Sequence, residues 1–234
     1  MASVNRELET LRSCLNFAVR NQWLPINPFQ QGKGLVSRAQ EVQRERVLSR
    51  SEEQKLLEIC VDRRAHLKPI LICALDTGLR RNELFTLTWA DIDFEERRIT
   101  VQAMNAKTLK MRQLPMSGRV FDELSKLFAS SSGDRRQSVF GIQDSIKRSF
   151  HTACRMAGIT GFRFHDCRHT FITRLIQAGL PPLEVMRLSG HTQIATMYKY
   201  LNSEGSTYSR ATAALDLFNQ EKGVAWAETP ELTN

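Results

Sequence analysis

Apolar residues along this chain recur mostly at intervals of three and four, the period of helices that bury one face. Leu8, Leu11, Leu15 and Val19 form the first such stripe, and Pro25 and Pro28 end it. Residues 1–36 thus hold one amphipathic helix and a turn, too little to bury that stripe unaided. Over residues 37–47 the periodicity lapses, with Arg38, Arg44 and Arg46 among Gln and Glu, which marks a charged linker. Ser49-Arg-Ser-Glu52 is a capping-box pattern ahead of Leu56, Leu57 and Cys60, so a second domain opens on a helix at residue 48. A further helix is predicted over residues 66–75, with Pro69 in its first turn and a stop near Gly78.

Between Arg98 and Met116 the period changes to two. Ile99, Val101 and Ala103 face Arg112, Leu114 and Met116 across a polar turn at residues 105–108, which predicts a β-hairpin. Helical spacing then returns. Ser117 caps a helix with Val120, Phe121, Leu124 and Phe128 on one side, and Ile146, Phe150, Ala153 and Ala157 line another that stops at Gly158. Shorter helices are predicted over 166–178, 181–188, roughly 193–201 and 206–220, while residues 223–234 have no period and read as a mobile tail. The expected fold is mainly α with a small antiparallel β-sheet, an α+β domain over residues 48–222.

Composition narrows the partners without naming one. A net charge of +8 favours a polyanion, since clustered Lys and Arg gain affinity by releasing phosphate counterions. Charge alone leaves nucleic acid an open question. The five cysteines are scattered, with no CxxC pair to suggest a zinc ribbon or a disulfide framework. The longest apolar stretch, residues 69–75, is too short to cross a bilayer, and the opening Met1-Ala2-Ser3-Val4 lacks the pattern of an export signal. A cytoplasmic location with no membrane association is expected.

Three polar clusters stand out: Thr77-Gly-Leu-Arg80-Arg-Asn-Glu83-Leu, His165-Asp-Cys-Arg168-His169, and Ser189-Gly190-His191 leading to Tyr200. Singly, each has a plain reading. Arg80 and Glu83 could be a surface ion pair, His165 a capping residue, Arg168 an exposed arginine, and Gly190 only a helix stop. Their order and spacing, with a hairpin lysine between the first two and a tyrosine nine residues past His191, resemble the tyrosine recombinase or phage integrase family over about residues 44–204. Cys167 and Met197 depart from the usual residues at packing positions. Residues 3–28 resemble the last part of that family's helical core-binding domain.

The resemblance implies a tyrosine recombinase catalytic-domain fold and site-specific recombination of double-stranded DNA. Arg80 and Arg168 would hold non-bridging phosphate oxygens, which gather charge in the transition state; a guanidinium offers them a fixed fork of donors. His165 and His191 would add hydrogen bonds, His165 also serving as a candidate proton acceptor. Tyr200 would be the nucleophile, giving a 3′-phosphotyrosyl intermediate, with Tyr198 a packing aromatic. Lys107 would protonate the leaving 5′-oxygen, with Lys110 the competing candidate. Glu83 would orient Arg80. The covalent link conserves the phosphodiester bond energy, so neither cofactor nor metal is implied. The family works as a homo-tetramer on two duplexes, and the apolar stripe Ala211, Ala214, Leu215 and Phe218 could dock on a neighbouring subunit or on its own domain. A bacterial cell, with the chain encoded by a phage or mobile element, is the setting this implies. Two rivals remain: a non-catalytic DNA-binding protein, and a metal-dependent nuclease or transposase using Asp91, Asp93 and Glu95.

Overall fold

The structure is a computed structural model that describes residues 2–30, 46–106, 110–142, 145–195, 197 and 200. The chain divides into two compact units, Met1–Glu45 and Arg46–Asn234. Lys107, most of the expected linker, Tyr198, the predicted helix over 206–220 and the tail lie outside the described residues. No described helix is long and apolar enough to cross a membrane.

In the first unit, helix α1 (Ala2–Arg20) runs as its apolar period predicts, and the chain then turns back on it. Asn27 is buried in that turn, its Nδ2 donating to Asn16 Oδ1 at 2.6 Å and to the Arg12 carbonyl at 3.3 Å. Trp23 packs edge-on against Phe17. Leu11 and Phe17 remain exposed within this unit.

The second unit is organised around one buried helix. Helix α2 (Arg50–Glu58) starts on the expected capping box: Ser49 Oγ accepts from the Glu52 N–H, and Glu52 accepts from the Ser49 N–H. Helix α3 (Leu67–Thr77) is apolar nearly all round and buried along most of its length, so neighbours cover it on several sides. Helices α5 (Gly118–Ala129) and α7 (Asp166–Gln177) pack directly against it. An ionic lattice ties the periphery. Arg119 of α5 binds both Asp76 of α3 and Glu53 of α2, while Arg174 of α7 reaches the other Glu53 oxygen at 2.5 Å.

Helix α4 (Arg81–Phe85) leads into a three-stranded antiparallel sheet, β1 (Ile92–Asp93), β2 (Arg98–Val101) and β3 (Arg112–Pro115), in that order. The hairpin matches the period-two reading, and β1 adds a third strand that the sequence pattern does not predict. Two paired residues are too few to leave a period. Ala103 does not extend the strand; Gln102 turns the chain, its side chain donating to Asp91 at 2.7 Å and its carbonyl accepting from Asn105. Ile99 faces Leu114 and Val101 faces Arg112, so an arginine sits on the sheet's buried side. Trp89, Phe94, Phe121 and Phe128 pack the sheet onto α5. Helices α6 (Lys147–Met156) and α8 (Pro182–Ser189) complete the unit, α8 lying beside β3.

Gly78 ends α3 in the left-handed conformation at φ 60°, and a Cβ there would lie 2.2 Å from the Phe171 ring of α7. Backbone strain and overpacking therefore act together at this position, and Gly78→Ala is expected to destabilise the protein by about 2–4 kcal/mol. Urea unfolding measures this directly; a variant as stable as the parent would contradict the close packing of α3 on α7.

Candidate active site

The site forms where the ends of α3, α7 and α8 meet β3 and the start of α4. The left-handed turn at Gly78 redirects the chain so that Arg80, in extended conformation, precedes α4. Glu83 closes this turn from inside: its carboxylate accepts from the Arg80 N–H at 2.8 Å and from the Arg80 guanidinium at 2.8 Å. Far from a surface pair, Glu83 is only 1 % exposed. Its remaining capacity is taken by Arg112 of β3, which donates through both terminal nitrogens at 3.1 and 2.7 Å. Burial alone would raise this carboxyl, but hydrogen bonds from Arg112 and Arg80 and the charge of Arg112 outweigh it and hold the pKa at about 2.

Two backbone carbonyls lock the arginines in place. Arg80 donates its second terminal nitrogen to the Gly190 carbonyl at 2.9 Å, and Arg112 donates Nε to the Leu188 carbonyl at 3.1 Å. Gly190 ends α8 at φ 68°, and a Cβ there would press on the Arg112 guanidinium at 3.0 Å. The glycine is thus needed for the turn and for the arginine beneath it.

Arg168, on the first turn of α7, is 3 % exposed and donates to the Gly78 carbonyl at 2.8 Å. Its other terminal nitrogen lies 3.3 Å from His191 Nε2, and Ser189 Oγ lies 2.8 Å from His191 Nδ1. Burial, and then repulsion from Arg80, push the Arg168 guanidinium down to about 9, which leaves it charged at neutral pH. Arg80 and Arg112 thus share the Glu83 carboxylate, and the buried Arg168 lies within electrostatic reach of all three without a bond to that carboxylate. Such a surplus of positive charge is costly for a protein to hold and favours an incoming anion.

Residues 195, 197 and 200 are helical, and Tyr200 packs beside Phe171, Ile172, Val185 and Met197. Its hydroxyl oxygen lies 2.7 Å from Nδ1 of His169, the residue after Arg168, and it is close enough to act electrostatically on Arg168. One turn earlier, at the N-terminal cap of α7, the His165 ring stands edge-on to His169 with centroids 5.9 Å apart. The geometry therefore brings together Arg80, Glu83, His165, Arg168, His191 and Tyr200, and Lys107 lies outside the described residues. Sequence reasoning gave no role to Arg112 or His169. Arg112 had left a signal, as a charged residue in register with Leu114 on the inward face of the hairpin. The rival carboxylates serve the backbone: Asp91 accepts from Thr88 N and Oγ1, each at 2.9 Å, and Asp93 accepts from the Glu96 N–H at 2.9 Å.

Comparison with known proteins places this arrangement in context. The catalytic domain of bacteriophage HP1 integrase is 28 % identical, with a TM-score of 0.58 over 74 % of this chain and 96 % of that one. The Tn1549 transposon integrase in complex with a circular intermediate DNA has a TM-score of 0.75 at 21 % identity, over 93 % of this chain and 79 % of that one, a likeness of fold. Among sequences, the tyrosine recombinase XerC-like protein of Caldanaerobacter subterraneus subsp. tengcongensis is 25 % identical over 79 % of this chain and 58 % of its own. The shufflon-specific DNA recombinase of Escherichia coli is 30 % identical over 85 % of this chain and 50 % of its own. This chain thus spans between half and three fifths of the length of these two relatives. The model of the phage integrase family matches residues 46–206, well over half of the chain, and the chain belongs to that family.

Proposed function

We propose that this chain is a tyrosine-type site-specific DNA recombinase, which cleaves and rejoins strands through a 3′-phosphotyrosyl intermediate. The observation that carries the reading is the cluster of three arginines around one buried carboxylate, with a tyrosine hydroxyl beside the same helix turn as Arg168. A phosphodiester is the anion such a cluster suits, because its non-bridging oxygens can take up guanidinium donors and gain charge as the bond to phosphorus forms. Family membership and the solved integrases in complex with DNA support the same partner.

In this reading Arg80 and Arg168 bind the scissile phosphate, and His191 and His165 add hydrogen bonds to it. Glu83, with Arg112 behind it, aims Arg80 and does not touch DNA. Tyr200 attacks phosphorus, the 5′-oxygen leaves with a proton from Lys107, and the 5′-hydroxyl of a partner strand reverses the step. The arginines supply the charge neutralisation and the ester conserves the bond energy, so cleavage is expected to be unchanged by excess EDTA. The working assembly is a homo-tetramer on two duplexes, joined through residues 206–220.

A library of nicked duplexes with randomised core sequence tests the reading. Cleavage next to the nick releases the short strand and traps the protein on DNA, so a denaturing gel recovers both the adduct and its target. Peptide mapping should find the DNA on Tyr200. Tyr200→Phe should abolish the adduct, Tyr198→Phe should retain it, and Arg80→Ala or Arg168→Ala should slow its formation by about a hundred- to a thousand-fold. An adduct on another residue would refute the assignment, and binding without any adduct would favour a non-catalytic DNA-binding protein.

Glu83 makes a separate claim on stability. Its pKa falls from 4.5 to about 2 on folding, so its contribution is complete above about pH 4.5 and is lost as pH falls towards 2. At neutral pH that contribution is about 3 kcal/mol. Glu83→Gln is expected to lower unfolding free energy by about that amount at pH 7, with the gap to the parent closing on acidification. A gap independent of pH between 7 and 3 would show that the carboxylate is not held by the arginines.

A further inference from the structure

The Tyr200 phenol needs to lose its proton as it attacks, and at neutral pH only about one such phenol in a thousand is ionised. Arginines can stabilise a phenolate but cannot accept its proton, since a guanidinium carries no lone pair for the purpose. The acceptor has to be another group within hydrogen-bond reach of the hydroxyl oxygen. The family resemblance offers His165 for this role.

We propose that His169 is a catalytic residue, the proton acceptor for Tyr200. Its Nδ1 is 2.7 Å from the Tyr200 hydroxyl oxygen, and the two rings lie side by side with centroids 5.6 Å apart. With its proton on Nε2, a neutral imidazole presents a lone pair at Nδ1, which is the nitrogen facing the phenol. His169 is fixed by its place on α7, one residue past Arg168 and one turn past His165. Consequently Arg168, which binds phosphate, and the group that activates the nucleophile ride on the same rigid helix. Beside His169 stand the His165 ring and, one residue back on α7, Arg168, which lies against His191 and within electrostatic reach of Arg80, Glu83 and Arg112. His191 is engaged differently, between Arg168 and Ser189.

The step balances without any co-reactant. The phenol proton passes to His169 Nδ1, the phenolate oxygen bonds to phosphorus, and the P–O5′ bond breaks with its electron pair on the 5′-oxygen. That oxygen takes a proton from the general acid, and the imidazolium later returns its own proton to Tyr200 on religation.

The inference rests on the recombinase reading, and its test separates the two. The duplex recovered from the nicked library is remade with a 5′-bridging phosphorothiolate, whose sulfur leaves without needing a proton, so the pH profile of single-turnover cleavage reports the nucleophile alone. Wild-type cleavage should rise through the imidazole range, around pH 6.5, and then level. Asparagine places its amide oxygen near the position of Nδ1 but cannot take up a proton. His169→Asn should therefore bind DNA normally, cleave about a hundredfold or more slowly, and lose the rise near pH 6.5. Fluorotyrosine at position 200, a more acidic phenol, should restore part of that rate. If His169→Asn melts early, His169→Gln is read in the same way. Wild-type rate and profile in a folded His169 variant would overturn this assignment while leaving Tyr200 as the nucleophile. Failure of the wild-type chain to form a Tyr200 adduct would overturn both.

Discussion

Three guanidinium groups gathered at one place repel each other, and each loses hydration as it is buried; the Glu83 carboxylate offsets both costs. It satisfies Arg80 and Arg112 together through bonds of 2.7–3.1 Å, and it closes the turn that carries Arg80 by accepting from that residue's own N–H. A charge this deeply buried is tolerated when its hydrogen bonds are filled, and Glu83 accepts four. Arg80 and Arg112 in turn hold the carbonyls of Gly190 and Leu188, which fix the end of α8 and hence His191. One carboxylate thereby coordinates segments more than a hundred residues apart in sequence.

The parts of this arrangement that were legible in the sequence are those written at fixed local spacing. Helix α2 declared itself by its capping box, α3 by an apolar run ending in Gly78, and the β2–β3 pair by a period of two. The candidate site was legible as a resemblance, through clusters whose members are otherwise ordinary. What escaped was decided by tertiary contact. Arg80 and Glu83 are three residues apart on any helix, and nothing local distinguishes a surface pair from one sealed beneath Arg112. The role of Arg112 depends on a strand register that aims it inward, and that of His169 on a tyrosine thirty-one residues away. Strand β1 was missed because two residues cannot show a period.

Fold and site also share their supports. On α7, Arg168 and His169 face the site, while Phe171 and Ile172 enter an apolar cluster with Val185 and Met197, against which Tyr200 also packs. Phe171 in turn lies against Gly78, whose carbonyl holds Arg168. A change at that packing contact therefore moves a charge as well as a ring. This coupling has a physical logic: a guanidinium must hold its direction within a narrow range to favour a transition state, and a side chain locked by core packing does so better than one on a loop.

An electrostatic imbalance remains at the site. Glu83 neutralises one of the three arginines, and the bonds that Arg168 makes to the Gly78 carbonyl and to His191 bring it no negative charge. A core selected for stability alone would replace such a group with an apolar side chain of similar volume. Retaining it places unspent positive potential at the spot where the Tyr200 hydroxyl sits, and that potential grows in effect as bulk water is excluded. In the proposed reaction, a phosphate arriving there would meet donors already in position, and a phosphorane-like transition state, with more charge on the same oxygens, would meet them to greater advantage. In that reaction, the stability that the free protein forgoes at Arg168 is the source from which a preference for the transition state over the bound ground state would come.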